Sequence, residues 1–386
     1  MDMHSKNELT AAVAPRYFKA TKQEKRLMLD EYCANTGLDR KYTSRKMKKD
    51  FLDPPEERRT RKRNRPSTYG VVLTPLVALW QIADCPCGWR LKEQLPVLIQ
   101  KATSFDELPL SEQQTVLLQS ISPATIDRML KGQWRLKRKK TNSQTKKGNP
   151  YSLIPFAVDL EKVCDVGILE IDLVAHCGGS AVGSFVNTLS TTEFTSGWQE
   201  SEAIMGKHKE AVRAGLVEIQ KRLPIPLKGI DFDSGSEFVN DVIWQLCQEM
   251  KLTISKSRPY TKNDNAHIEQ KNWTNVRRII GYLRLDTEEE RDLLNDLYRN
   301  ELRLYINFFQ PSGKLISKQR VGSKVKRIYD KPKTPYQRLL ERDDVDPANK
   351  RKLRAIYDEL NPFELKRRID DKLAKLVSLA QRKGAA

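Results

Sequence analysis

Between Leu169 and His176 polar and apolar residues alternate, with Leu169, Ile171, Leu173 and Ala175 on one face and Glu170, Asp172, Val174 and His176 on the other. Period two of this kind predicts a β-strand with one buried face. Residues 184–194, rich in Val, Thr and Ser, read as its partner, Trp198 as part of a short third strand, 226–233 as a fourth and 252–256 as a fifth. Helical spacing of apolar residues fills 207–222, where Ala211, Ala214, Val217 and Ile219 share a side, and 237–251. Another helix, capped by Asn263 or Asp264, carries Glu269 and runs to about Leu283, with Ile268, Val276, Ile279 and Ile280 inward and Arg277 and Arg278 outward. The predicted order is three strands, helix, strand, helix, strand, helix, a mixed five-stranded sheet with helices.

The flanks are helical. From Thr21 an amphipathic helix ends at Gly37, and Leu38–Lys49 forms a second after a short turn, the outline of a helix-turn-helix. Its second helix presents Arg40, Lys41, Arg45 and Lys48, a set suited to phosphate and base contacts. Residues 74–84 and 87–102 have helical periodicity, and 111–120 with 122–130 repeat the helix, turn, helix outline. Beyond the sheet, 287–309 reads as a helix broken by Pro311-Ser-Gly313, 314–331 as basic and extended, and 334–340, 349–360 and 362–383 as charged, weakly apolar helices.

Composition narrows the partner. The net charge is +19 over 386 residues, and no long apolar run exists. A polyanion, nucleic acid rather than a membrane, is the expected partner. No apolar signal-peptide core follows Met1, so the expected location is cytoplasmic and nucleoid-associated. Six scattered cysteines do not form a disulfide framework, and Cys85-Pro-Cys87 lacks the second close pair of a zinc site.

The candidate chemistry lies in acids. Asp172 projects from mid-strand, where a carboxylate is costly without compensation, and a divalent cation shared with other carboxylates is the usual compensation. Asp233 stands at the exit of the fourth strand in Asp231-Phe-Asp-Ser-Gly-Ser-Glu-Phe238, and Glu269 follows after 35 residues, in Asn265-Ala-His-Ile-Glu269. Glu170 and Asp231 share faces with Asp172 and Asp233, so spacing alone leaves the assignment open. Lys256, Arg258, Lys262, Asn265 and Lys271 surround the Glu269 segment as candidate phosphate contacts. His176 and His267 flank the acids as hydrogen-bonding or DNA-contacting groups.

Between about Gly167 and Leu283, roughly a third of the chain, the sequence resembles the DDE transposases and retroviral-type integrases. The likeness rests on the strand Asp, the Asp-Ser-Gly-x-x-Phe turn, Ser257-Arg-Pro-Tyr260, Asn265-Ala-His-Ile-Glu269 and Gly197-Trp198. It implies an α/β RNase H-like core at 161–285, binding two Mg²⁺ or Mn²⁺ ions through Asp172, Asp233 and Glu269. Around that core the expected divisions are a helix-turn-helix with basic arm at 1–66, a second helical domain at 67–136, a basic linker at 137–160 and a basic, mainly helical region at 286–386. The implied activity is that of a transposase cutting double-stranded DNA at element ends and joining the 3′-OH to target DNA, as a multimer and with or without a helper protein. A DNA-binding regulator or domesticated transposase with a non-catalytic core is the alternative.

Overall fold

The computed structural model describes residues 1–52, 68–133, 165–232, 241–256, 271–321 and 324–383, and of 241, 256, 321 and 324 the backbone alone. Asp233, Arg258, Lys262, Asn265, His267 and Glu269 lie outside the described residues, as do the side chain of Lys256 and the basic linker. The chain divides into two compact units, Met1–Ser67 and Thr68–Ala386.

The first unit is three helices, α1 (Met3–Lys19), α2 (Lys22–Thr36) and α3 (Arg40–Leu52). Thr21 and Glu24 form a reciprocal capping box at the start of α2, and Gly37 closes it at φ 68°, a left-handed conformation that glycine adopts without a Cβ clash. Ala14, Tyr17, Leu29, Tyr32 and Met47 make the core. Lys46 ties α3 to α1 through Asn7 (2.8 Å) and Thr10 (3.2 Å). Sequence periodicity missed α1, whose face is broken by Pro15 and polar residues.

The second unit begins with α4 (Leu73–Ile82), α5 (Gly88–Ser104), α6 (Glu112–Ser120) and α7 (Pro123–Leu130), packed around Leu76, Leu79, Leu91, Leu95 and Leu118. The sheet follows: β1 (Ile168–Ala175), β2 (Val186–Glu193), β3 (Gln199–Met205), then α8 (Lys209–Arg222), β4 (Gly229–Phe232), α9 (Asp241–Glu249) and β5 (Thr253–Lys256). Strands lie in the order β3-β2-β1-β4-β5, antiparallel across β3, β2 and β1 and parallel across β1, β4 and β5. This is the mixed five-stranded sheet that the alternation predicts.

One face of the sheet (Leu169, Ile171, Leu189, Ile230, Phe232) packs on Val212, Leu216 and Ile219 of α8 and Ile243, Leu246 and Cys247 of α9. The opposite face is covered by α10, a π-helical stretch Asn272–Arg277 continued by Arg278–Ile280, and by α11 (Glu288–Leu297), which runs through a π-helical turn Tyr298–Leu302 into α12 (Arg303–Phe309). A hairpin, β6 (Leu315–Val321) and β7 (Lys324–Tyr329), precedes α13 (Pro335–Glu341), α14 (Pro347–Glu359) and α15 (Pro362–Arg382).

Two sequence expectations change here. The segment 314–331, read as merely extended, holds a paired hairpin, and the weakly apolar C-terminal helices bury Leu339, Leu353, Leu365, Ile369 and Leu376 in the main core. Phe363 reaches the core of the α4–α7 helices, and Lys101 of α5 donates to the carbonyl oxygens of Tyr357 (2.6 Å) and Asp358 (3.0 Å).

The outer edge of β3 is closed by side chains. Asn307 Oδ1 accepts from Gln199 N (2.8 Å) while its Nδ2 donates to Gln199 O (2.7 Å). Asn295 repeats the arrangement on Ala203 N and O (2.6 and 2.9 Å), and Arg222 donates to Ser201 O between them (3.0 Å). Among the described residues no further strand pairs with this edge, and each amide takes the place of one partner residue. On the α8 face of β3, buried Glu200 is paired with Arg303 (3.0 Å) and Arg222 (3.3 Å), and Glu202 with Arg222 (3.0 Å) and Arg299.

Candidate active site

Glu170, Asp172 and Asp231 lie on one sheet face, because residues directly opposite in a ladder share a face and Glu170 pairs with Asp231. Burial separates them. Glu170 and Asp231 are each 1% exposed, and Ser255 Oγ donates to Asp231 Oδ1 at 2.6 Å. Asp172 is half-buried, one pleat nearer the end of the strand. Burial thus sets the two deep acids in the interior apart from half-buried Asp172.

Leu173 and Asn272 both donate to the Asp172 carboxylate. Leu173 N reaches Oδ1 at 2.8 Å, and Asn272 Nδ2 reaches Oδ2 at 2.6 Å. Asn272 is 8% exposed, and among the described residues its Oδ1 has no hydrogen-bond partner. Sequence reasoning missed this residue, although its position three after Glu269 would have placed it one helical turn along the same face. The parallel register ends at Ile171 opposite Phe232, the residues that precede Asp172 and Asp233 in sequence. Among the described residues no group of three His, Cys, Asp or Glu side chains gathers in metal-binding reach.

His176 turns inward. It is fully buried, Nε2 bonded to Thr188 Oγ1 (2.7 Å), which in turn bonds Tyr298 OH (2.7 Å). Burial, aided by the Arg277 charge, pushes its pKa down to about 3. It is therefore a neutral core residue at physiological pH, where spacing suggested a hydrogen-bonder or DNA contact beside the acids. The unfolded chain takes up a proton near pH 6.5 and the folded chain does not, so stability falls as pH drops below that value, by up to about 1.4 kcal/mol per unit. His176→Gln should flatten the melting temperature against pH between about pH 6 and 4; parallel profiles for the two proteins would refute this role.

The basic candidates are placed differently from one another. Lys271, beside Asn272, is half-buried over the β2–β3 turn: a Cβ on Gly197 would lie 3.9 Å from its Nζ. Burial, with the cations Arg90, Lys314 and Arg338, lowers its pKa to about 8. Arg277, expected outside, is half-buried and lies over the Tyr282 ring (4.9 Å), while Arg278 pairs with Asp84 (3.1 Å). In the first unit Lys41, Arg45 and Lys48 form an exposed row on α3, opposite buried Thr43, Met47 and Asp50. Arg40 instead forms an ion pair with Asp30 of α2.

Cys33, Cys85, Cys87, Cys177 and Cys247 are free thiols, and among the described residues no helix is long and apolar enough to cross a membrane.

No family model matches the chain. The uncharacterized protein y4rM of Sinorhizobium fredii (strain NBRC 101917 / NGR234) is 35% identical over 343 residues, 88% of this chain and 96% of the relative. Solved structures similar to it include retroviral integrase catalytic cores. The core domain of BIV integrase aligns at 14% identity and TM-score 0.27, over 44% of this chain and 91% of that one. The HTLV-2 integrase core in complex with magnesium aligns at 12% and 0.29, over 42% and 93%. A chain of the simian T-cell lymphotropic virus intasome with PP2A regulatory subunit B56 gamma aligns at 13% and 0.31, over 61% and 72%. At these scores no residue role is transferred.

Proposed function

The chain belongs to the family of the uncharacterized Sinorhizobium fredii protein y4rM, and we propose that it is a DNA transposase acting through Asp172, Asp233 and Glu269. The observation that carries this reading is the Asn272–Asp172 hydrogen bond. It brings the segment that follows Glu269 onto the strand acid, while the β1–β4 register brings the residue before Asp233 opposite the residue before Asp172. Both contacts support a common place on the sheet for three acids distant in sequence.

A half-buried carboxylate oriented by N–H donors offers the hard oxygen ligand that Mg²⁺ or Mn²⁺ prefers. Two such ions, held by Asp172, Asp233 and Glu269, would supply activation of the attacking oxygen and neutralisation of the leaving 3′ oxygen. The remaining work falls to the chain. Leu173 N and Asn272 fix the rotamer of Asp172, and the buried Glu170–Asp231 pair stays in the interior behind it. With its pKa near 3, His176 takes no part in proton transfer near neutrality. Hydrolysis at an element end exposes a 3′-OH, and in-line attack by that hydroxyl on target DNA completes joining. Two ends must be handled together, which calls for a multimer.

The test is an assay of the full chain with Mg²⁺ or Mn²⁺ and labelled DNA carrying the repeats that flank its gene. New 3′-OH ends and joined products are expected. Specific binding with neither product, in either metal, would favour the regulator reading instead.

The first unit is assigned to end recognition. Lys41→Gln, Arg45→Gln and Lys48→Gln together should weaken duplex binding and flatten its salt dependence by about 0.9 for each phosphate no longer neutralised. Arg40 is left out because Asp30 already neutralises it. An unchanged affinity would remove α3 from DNA recognition.

A further inference from the structure

We propose that the β6–β7 hairpin is a DNA-binding ribbon that lies in a groove of the duplex, a role resting on the nucleic-acid reading of this chain but separate from its acidic site. The hairpin's charge is one-sided. From Lys314 to Tyr329 there are six cations, Lys314, Lys318, Arg320, Lys324, Lys326 and Arg327, and no acid. The register sets Lys318 directly opposite Arg327, a like-charge cross-strand pair that disfavours the ribbon in isolation. Such a pairing is stabilised by a polyanion bound across it.

Its exposure points the same way. Residues 318–320 and 325–327 are all exposed, as are Ile316 (65%) and Val325 (46%), so side chains from both faces of the ribbon reach solvent. A two-stranded ribbon with neither face covered is marginal in water. This one is held at its base. Trp89 of α5 packs edge-on to Tyr329 (centroids 6.3 Å apart) and so close to Gly313 that a Cβ there would lie 2.3 Å from its ring. Asp330 N donates to Lys314 O (2.9 Å), Arg338 pairs with Asp330 (2.7 Å), Lys331 pairs with Glu93 (2.9 Å), and Lys314 Nζ donates to Phe194 O (2.8 Å). The ribbon is thus fastened to α5, α13 and the β2–β3 turn, and that turn also carries Gly197 beneath Lys271. A rigid base with an exposed cationic ribbon suits insertion into a duplex, whose major groove, roughly 12 Å wide, admits two strands. Phosphates on the groove walls would neutralise the facing Lys and Arg side chains.

The experiment uses the full chain carrying Lys318→Gln, Arg320→Gln, Lys326→Gln and Arg327→Gln, with a charge-retaining Lys318→Arg, Lys326→Arg protein beside it. Binding to a duplex is measured in EDTA across a salt series, so the result does not depend on catalysis. The neutralised protein is expected to lose at least about tenfold in affinity and to flatten the log K against log salt slope by roughly 3 to 4, while the charge-retaining protein matches the parent. Unchanged affinity and slope would overturn the proposal, and so would an equal proportional loss on a single strand of the same length, since a groove exists only in the duplex. Failure of the cleavage assay with this ribbon effect intact would instead count against the acidic site alone.

Discussion

Asp172→Asn should abolish strand cleavage, by at least about 10³-fold or some 4 kcal/mol of transition-state stabilisation, and leave the protein folded. The expected selectivity follows from the local bonds. Asparagine keeps an oxygen to accept from Leu173 N, but it places an NH₂ against the amide of Asn272. Asn272 Oδ1 has no partner among the described residues, so a half-turn of that amide restores the hydrogen bond with its direction reversed. The charge that would hold a divalent cation disappears while the β1–α10 contact survives. Asp233→Asn and Glu269→Gln should lose as much. Asn272→Ala, which removes one donor from the carboxylate without discharging it, should cost a smaller factor of about 10 to 100, in the range of outer partners of metal ligands. Cleavage by Asp172→Asn at the parent's rate, with an unchanged melting temperature, would end the metal-site reading.

The strand that carries Asp172 and several helix starts were legible because their signals are local. Alternation along β1 puts Asp172 on the polar face, and the capping boxes at Thr21, Ser111, Thr287 and Thr334 mark helix starts through residues three apart. What stayed hidden depends on distant partners. The β3 sequence Gln199-Glu-Ser-Glu-Ala-Ile-Met205 has two acids and little apolar alternation, so only Trp198 hinted at a strand. Its acids are tolerated inside because Arg222, Arg299 and Arg303, from α8 and from the π-helical turn and helix that follow α11, meet them. His176 alternates onto the face of Asp172, yet period two says which side a residue takes, not how deep it lies. Its ring bonds Thr188, which bonds Tyr298, 122 positions further along the chain than His176. The C-terminal helices looked weakly apolar for a related reason: each contributes a narrow stripe that is buried only against distant elements, chiefly α11, the π-helical turn and α12, with α4 and α5 at one end.

Asn307→Leu should be among the most damaging single changes away from the acids. Asn307 is fully buried, and its amide satisfies both Gln199 N and Gln199 O at an edge with no neighbouring strand. Leucine of similar volume would leave both groups without a partner and without water. At about 1 to 3 kcal/mol for each, the loss is roughly 2 to 6 kcal/mol, a large share of the 5–15 kcal/mol typical of a folded protein. A fall of about 10 °C in melting temperature is expected. Asn307→Asp separates the two halves of the contact. Its carboxylate still accepts from Gln199 N but turns an oxygen toward Gln199 O, so part of the loss should remain. Asn295, with the same pair of bonds to Ala203, should behave alike, and the Asn295→Leu, Asn307→Leu protein should also associate through the opened β3 edge, measured as a concentration-dependent rise in mass. If the aspartate variant melts with the parent while the leucine variant falls, Gln199 O is satisfied from elsewhere and only the N–H half of the mimicry matters. If neither falls, side-chain closure contributes nothing to this edge, and the helices over β3 hold it by apolar packing alone.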